Sequence, residues 1–219
     1  MAAIGKTSAQ LALRDPDIRL MLRVRDDEPG AFEELVEQYQ HRLVAVMHHL
    51  VGNAEEAEDL AQEVFLRVYR ARQKYRPRAK FSTWLFTIAN NLALNHLRSR
   101  SRKPVVRLAI HDSGPLGPRP AEQLARDQAA QPVHRMQQQE LAALVKQAIQ
   151  GLNERQRVAV ILNKFEDMNY AEIAEVMGLT TKAVKSLLSR ARTNLRAALQ
   201  SYVYMDSAPV PDVSSEEQE

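Results

Sequence analysis

Lys182, Lys185, Ser189, Arg192 and Arg196 recur at steps of three or four residues, in a run from Lys182 to Leu199 that contains no Asp or Glu. On a helix this spacing makes one stripe of ammonium, hydroxyl and guanidinium groups. Such groups suit a polyanion, with Lys and Arg holding phosphates and Ser, Thr or Lys reaching base edges. A second concentration of this chemistry lies between Val64 and His111, which holds twelve Lys or Arg, no acid, and six of the chain's twelve aromatic side chains. Phe65, Tyr69, Tyr75, Phe81, Trp84 and Phe86 can offer flat faces to unstacked bases, which favours nucleic acid over a membrane. For any single aromatic among them, Trp84 and Phe86 included, a place in the core is the simpler reading. Upstream, Asp15 to Glu63 has thirteen acids against four bases, so the net charge of +3 conceals a polarised molecule.

Covalent chemistry has no comparable footing. His41, His48 and His49 share a helix, but no HExxH pattern or carboxylate-rich cluster accompanies them, and His111 and His134 fall in an irregular stretch. No GxxxxGK[ST] or GxGxxG occurs, so any ATP chemistry would belong to a partner. No catalytic residue, metal or cofactor is expected, and the protein is not read as an enzyme. With no Cys, disulfides and sulfur-based zinc sites are excluded, and a reducing compartment is the simplest home. No segment has the apolar length to cross a bilayer, and Met1 to Arg14 lacks the continuous apolar core of a signal peptide. A soluble, cytoplasmic protein without membrane insertion is expected.

The elements that must carry these faces are helical. Apolar residues recur with a period of 3.6 and no alternating strand stands out, so the chain reads as all-α. The expected architecture is two small helical domains joined by a flexible linker, the C-terminal one containing a helix-turn-helix. The first strong helix is predicted from Pro29 or Gly30 to Leu50, with Phe32, Leu35, Val36, Tyr39, Leu43, Val46 and Leu50 inward. Asn53 is a natural N-cap for the next, whose acids cluster in the first turns and whose Arg and Lys cluster near the end, as the helix dipole favours. Leu60, Ala61, Val64, Phe65 and Val68 form its apolar stripe, and Pro77 marks its end. A third helix is predicted from about Ser82 to Arg102, with Trp84, Thr87, Asn91, Asn95 and Arg98 on one mixed face. Five Pro and two Gly then break the pattern over 103–139, and periodicity returns over 140–203. Residues 1–16 read as an N-terminal extension and 204–219 as an acidic, disordered tail.

Within the second domain, residues 170–189 (YAEIAEVMGLTTKAVKSLLS) have the pattern of a helix-turn-helix. Small Ala174 lets two helices cross closely, Gly178 permits the turn, and Ile173, Met177, Leu179, Val184 and Leu187 fill the angle between them. Asn169 and Thr180 are the expected N-caps. Val184, Leu188, Ala191 and Leu195 make the inward seam of the second helix. Its N-terminal part enters the major groove in such motifs, making Thr181, Lys182, Lys185, Ser186 and Ser189 candidate base readers. Arg190, Arg192 and Arg196 lie further along and suit phosphates. An ordinary solvated basic face is the alternative.

Five blocks, AFEELVEQYQHRL (31–43), EDLAQEVFLRVYRA (58–71), FSTWLFTIANNLALNHLR (81–98), LNERQRVAVIL (152–162) and the helix-turn-helix, together resemble the extracytoplasmic-function class of bacterial sigma factors. The resemblance covers roughly 17–102 and 140–203, in the family's order. It implies a region 2 domain over 17–102 that binds core RNA polymerase and the promoter −10 element, and a region 4 domain over 140–203 that reads the −35 element. It implies that Asp59, Gln62, Glu63 and Phe65 dock on the clamp coiled coil of the polymerase largest subunit. The loop with Lys74, Arg76, Arg78 and Lys80 then captures a base flipped from the −10 element, while Trp84, Asn91, Asn95 and Arg98 hold the melted strand. An anti-sigma factor is the further partner it implies.

The sequence departs from the family in two places. Many members carry an acid where Asn95 stands, and the recognition helix reads Lys182-Ala-Val-Lys-Ser-Leu187, so Leu187 packs where a basic contact is usual and the −35 sequence cannot be borrowed from a relative. A stand-alone helix-turn-helix regulator with a sensing or dimerising N-terminal domain is the alternative, and would bind duplex DNA tightly without polymerase.

Overall fold

The computed structural model describes residues 15–102 and 132–205, and among these every regular element is a helix. Residues 206–219 of the expected acidic tail, nearly all of the N-terminal extension and most of the expected linker lie outside the described residues, whereas Tyr204 and Met205, expected in the tail, end the last helix.

The N-terminal domain is built from α1 (Pro16–Arg25), α2 (Ala31–Val51), α3 (Ala54–Ala71), a single 3-10 turn (Arg72–Lys74) and α4 (Phe81–Arg102). Helix α1 had no separate signal, because ten residues give the periodicity little length to show itself; its ends are local chemistry. Asp15 accepts from the Asp17 amide at 2.9 Å, Pro16 occupies the first turn where its missing N–H costs nothing, and Arg23 and Arg25 sit in the last turn. Asn53 caps α3 by accepting from the Glu56 amide at 2.8 Å. The inward stripes meet in one core that includes Ile18, Met21, Leu35, Tyr39, Leu43, Val64, Phe81 and Leu85.

The C-terminal domain comprises α5 (Pro132–Gln150), α6 (Glu154–Lys164), α7 (Tyr170–Met177) and α8 (Thr181–Met205). Helix α5 starts eight residues before the expected boundary at Glu140, because a proline fits the first turn of a helix and Pro132 opens this one. Between α7 and α8 stands Gly178 at φ 63°, the left-handed conformation that ends α7 and turns the chain. Asn169 and Glu172 form a reciprocal capping box at the start of α7, and the Thr180 hydroxyl accepts from the Ala183 amide at 3.2 Å.

The two domains pack against each other. Helix α7 lies on α4, and α5 and α6 lie on α2. Arg157 of α6 joins them at helix ends, donating to the Leu50 carbonyl at 2.8 Å, to Gln150 at 2.6 Å and to Leu152 at 3.1 Å. The carbonyls of Leu50 and Gln150 are ones that terminating helices leave unpaired, and that of Leu152 lies in the turn between α5 and α6. Gly52, at φ 82°, lets the Gln150 side chain approach to where its Nε2 donates to the His49 carbonyl at 2.8 Å.

Candidate polymerase and nucleic-acid interfaces

The outer side of α3 carries Asp59, Gln62 and Leu66 at successive helical steps, all exposed, with Leu66 48% exposed and Tyr69 41%. Glu63 is half-exposed and accepts from Arg67 Nε at 2.9 Å one turn later, a bond that holds its carboxylate below the usual range. Phe65 does not join this face. It is 8% exposed and belongs to the core stripe with Leu60, Ala61, Val64 and Val68, so its ring faces the core rather than the outer side of the helix. Leu66 is the apolar side chain on the outer face instead, and its spacing from Asp59 and Gln62 would have identified it. At the end of α3, Arg72 lies 3.9 Å over the Tyr69 ring and donates to Asp27 at 2.7 Å, while Phe32 packs 4.9 Å from the same ring.

Much of the acidic block is spent inside the domain. Asp17 accepts from Tyr39 and Gln38, and Glu28 and Glu34 both pair with Arg23 at 2.8 Å. Asp15 accepts from the Phe81 amide at 3.3 Å, tying the start of α4 to α1.

The loop from Lys74 to Lys80 rests on an aromatic floor. Tyr75 is buried 4.8 Å from Trp84 and 6.3 Å from Phe81, and Pro77 is buried beside it, leaving Lys74, Arg76, Arg78 and Lys80 exposed. Arg76 donates to the Tyr75 carbonyl at 2.9 Å, which holds its guanidinium along the loop. Lys80 reaches the other domain, where its Nζ lies 2.8 Å from Glu172 Oε1. That bond raises the Lys80 pKa; burial favours the neutral Glu172 acid, but the bonds from Lys80 and the Asn169 amide outweigh it and lower its pKa.

Of the five residues expected on the mixed face of α4, Asn91, Asn95 and Arg98 are exposed. Its upper end is recessed: Trp84 is half-buried with Tyr75 against it, and Thr87 donates its hydroxyl to the Thr83 carbonyl at 2.7 Å. Phe86 is 1% exposed, a core residue.

On α8, Thr181, Lys182, Lys185, Ser189, Arg190, Arg192 and Arg196 are exposed, while Val184, Leu188 and Ala191 are buried. Leu187 packs half-buried against the core, as its apolar character requires. Ser186 is half-buried and accepts from Arg190 Nη2 at 3.0 Å, so those two act as a pair rather than as separate contacts. Arg192 donates back to the Leu188 carbonyl at 3.4 Å. The helix thus offers polyanions a cationic edge with no acid on it.

Among the described residues no group of three or more His, Cys, Asp or Glu could hold a metal, and no helix is long and apolar enough to cross a membrane.

Family models match both domains: Sigma-70 region 2 over residues 35–103 and Sigma-70, region 4 over residues 142–195. The chain is 37% identical over 191 residues to the RNA polymerase sigma-H factor of Pseudomonas aeruginosa, covering 85% of this chain and 95% of that one. It is 30% identical over 178 residues to the ECF RNA polymerase sigma factor SigW of Bacillus subtilis, covering 81% and 94%. Among solved structures, the fold resembles sigma factor RpoE of Bartonella quintana, in complex with the anti-sigma factor NepR, at TM-score 0.58 and 22% identity, over 78% of this chain and 98% of that one. Two domains in this order, each with its matching family and an exposed basic face, identify the chain as a member of the extracytoplasmic-function sigma factors, which bind core RNA polymerase and direct promoter-specific transcription initiation.

Proposed function

We propose that the work of this sigma factor is divided among three exposed faces. The outer side of α3, with Asp59, Gln62, Glu63 and Leu66, docks on the clamp coiled coil of the polymerase largest subunit. Lys74, Arg76, Arg78 and Lys80 take the phosphates around a −10 base extruded from the duplex, and Asn91, Asn95 and Arg98 hold the melted strand. Thr181, Lys182, Lys185 and Ser189 read the −35 element, with Arg190, Arg192 and Arg196 on its phosphates. The observation that carries this reading is the sorting of charge on exposed surfaces: acids and an apolar side chain on α3, bases without acids on α8.

The chemistry is non-covalent. Unstacking a base costs a few kcal/mol, and contacts in the −10 pocket must return it. No residue is assigned a catalytic role, and the factor acts in the cytoplasm, where the polymerase is. The region 2 domain spans 17–102, and the region 4 domain spans 140–203 with α5 extending it back to Pro132. An anti-sigma factor is a further partner, supported by the fold shared with a sigma factor solved in such a complex.

Reciprocal variants test the division. Lys182→Ala with Lys185→Ala should reduce −35-dependent transcription at least tenfold while leaving affinity for core polymerase unchanged. Asp59→Lys with Glu63→Lys should do the reverse, weakening core binding at least tenfold. Tight, specific binding of the free chain to duplex promoter DNA would instead favour the stand-alone regulator.

A further inference from the structure

Helix α4 begins where the basic loop ends, yet the residue at its N-cap cannot cap it. Lys80 stands there, its carbonyl accepting from the Trp84 amide at 3.4 Å, and an ammonium has no lone pair to offer the free amides of the first turn. That turn contains no acid either. The acceptor comes from 66 residues away, where Asp15 Oδ2 accepts from the Phe81 amide at 3.3 Å. Its other oxygen, Oδ1, accepts from the Asp17 amide at 2.9 Å and the Ile18 amide at 3.4 Å, at the start of α1. One carboxylate therefore serves the positive ends of two helices, where negative charge is favoured.

The same corner holds Phe81 by its ring. Phe81 is fully buried and packs edge-on 5.2 Å from Tyr39, whose hydroxyl donates to Asp17. The loop from Lys74 to Lys80 is thus pinned at its far end by α1. Its near end is pinned by the buried Tyr75 ring and by the Tyr75 amide, which donates to the Arg72 carbonyl at 3.0 Å. The Asp15 charge is felt at both ends: Lys80, whose pKa is raised chiefly by Glu172, is raised further by Asp15, and Tyr75, raised chiefly by burial, is raised further by Asp15 and Asp17. A carboxylate in this place repels the phosphates of an approaching strand, so what it contributes to DNA binding is geometry rather than attraction.

We propose that Asp15 is a positioning residue for −10 recognition: by holding the first amide of α4 it fixes the end of the basic loop, and with it the shape of the pocket for the extruded base. The inference rests on the assignment of Lys74 to Lys80 as the base-capture loop. Asp15 lies ahead of the segment 35–103 that matches Sigma-70 region 2, and it acts through the Phe81 backbone rather than on DNA. A loop fixed in advance loses no conformational entropy when the base enters. A loosened loop still presents Arg76, Arg78 and Lys80 to phosphates, because that attraction needs no single geometry. Discrimination among bases needs one, so the contribution of Asp15 is to specificity and not to overall affinity.

Asp15→Asn separates the two contacts. Asn caps a helix as well as Asp does, so α1 keeps its acceptor, while the amide nitrogen that replaces the second oxygen cannot accept from Phe81. Asp15→Ser, also a capping residue with one oxygen, carries the same test should the first variant not fold. Each full-length chain is assembled with core polymerase, and Kd is read by fluorescence anisotropy on forked DNA from a promoter that the wild-type holoenzyme transcribes. The non-template strand carries in turn each of the four bases, or an abasic site, at successive −10 positions. Wild type should show one position at which the preferred base binds far more tightly than the abasic site. In the variants that ratio should fall about tenfold, the scale of one lost charge-assisted hydrogen bond. The abasic strand should bind the variants at least as tightly as wild type, because a negative charge has left the loop. A merely structural defect weakens every strand alike and leaves the ratio where it was. A ratio not lowered in the folded variants, including a uniform loss on all strands, overturns the role of Asp15 and leaves base capture standing. If wild type distinguishes no base from an abasic site at any −10 position, the base-capture assignment falls and takes the role of Asp15 with it, a result read without any variant.

Discussion

Neighbouring side chains on α3 have opposite fates. Phe65 and Leu66 are adjacent and both apolar, yet one is 8% and the other 48% exposed, because a single residue turns the helix by about 100°. Leu66→Glu should lower affinity for core polymerase at least tenfold, measured by fluorescence anisotropy, with an unchanged thermal midpoint. Phe65→Ala should do the opposite, lowering stability by about 3 kcal/mol in denaturant titrations through the cavity it leaves. The stripe of Leu60, Val64, Phe65 and Val68 was legible from periodicity, whereas the family resemblance alone drew Phe65 to the outer face. Pairings between distant residues, such as Asp17 with Tyr39, had no signal in the sequence because nothing local brings them together.

At the scale of elements, caps and turns behave as sequence chemistry dictates. Asn53, Asn153 and Asn169 each accept an amide at a helix start, and Gly178 adopts φ 63° between the two helices of the DNA reader. A Cβ at Gly178 would meet no atom within 4 Å, so the cost of Gly178→Ala is that of the left-handed backbone alone, about 1–2 kcal/mol by chemical denaturation. A larger loss would mean that the turn is more crowded than its geometry indicates. Asn169→Ala should cost about 1 kcal/mol. It removes the acceptor of the Ala171 and Glu172 amides, while the Glu172 carboxylate keeps the backbone N–H of residue 169 and its contact to Lys80, so the loss should be confined to fraying of the first turn of α7. Helix α5 was misjudged because a proline in sequence does not announce whether it ends one element or begins another.

For the whole molecule, charge and packing act on different conditions. Glu172 has its pKa lowered from 4.5, so its part in the pair with Lys80 is complete above that value and is lost as pH falls through the lower, folded one. Lys80 has its pKa raised from 10.5, so its part is complete below that value and is lost as pH rises through the higher one. Between about pH 7 and 9 neither changes charge. The difference in thermal midpoint between the wild-type chain and Lys80→Ala should therefore be the same at about pH 7 and about pH 9; a difference that changes across that window would overturn this account of the pair. By itself the sequence determined the all-helical class, helices α2 to α4, the caps Asn53, Asn169 and Thr180, the helix-turn-helix and the basic stripe of α8, because each follows from spacing within one element. Only the tertiary structure decided that Phe65 is core, that acids such as Asp15 and Asp17 serve α1 and its neighbours, and that the two domains close on each other. Burial and pairing across the chain depend on which surfaces meet, and helical periodicity records that a face is apolar without recording what covers it.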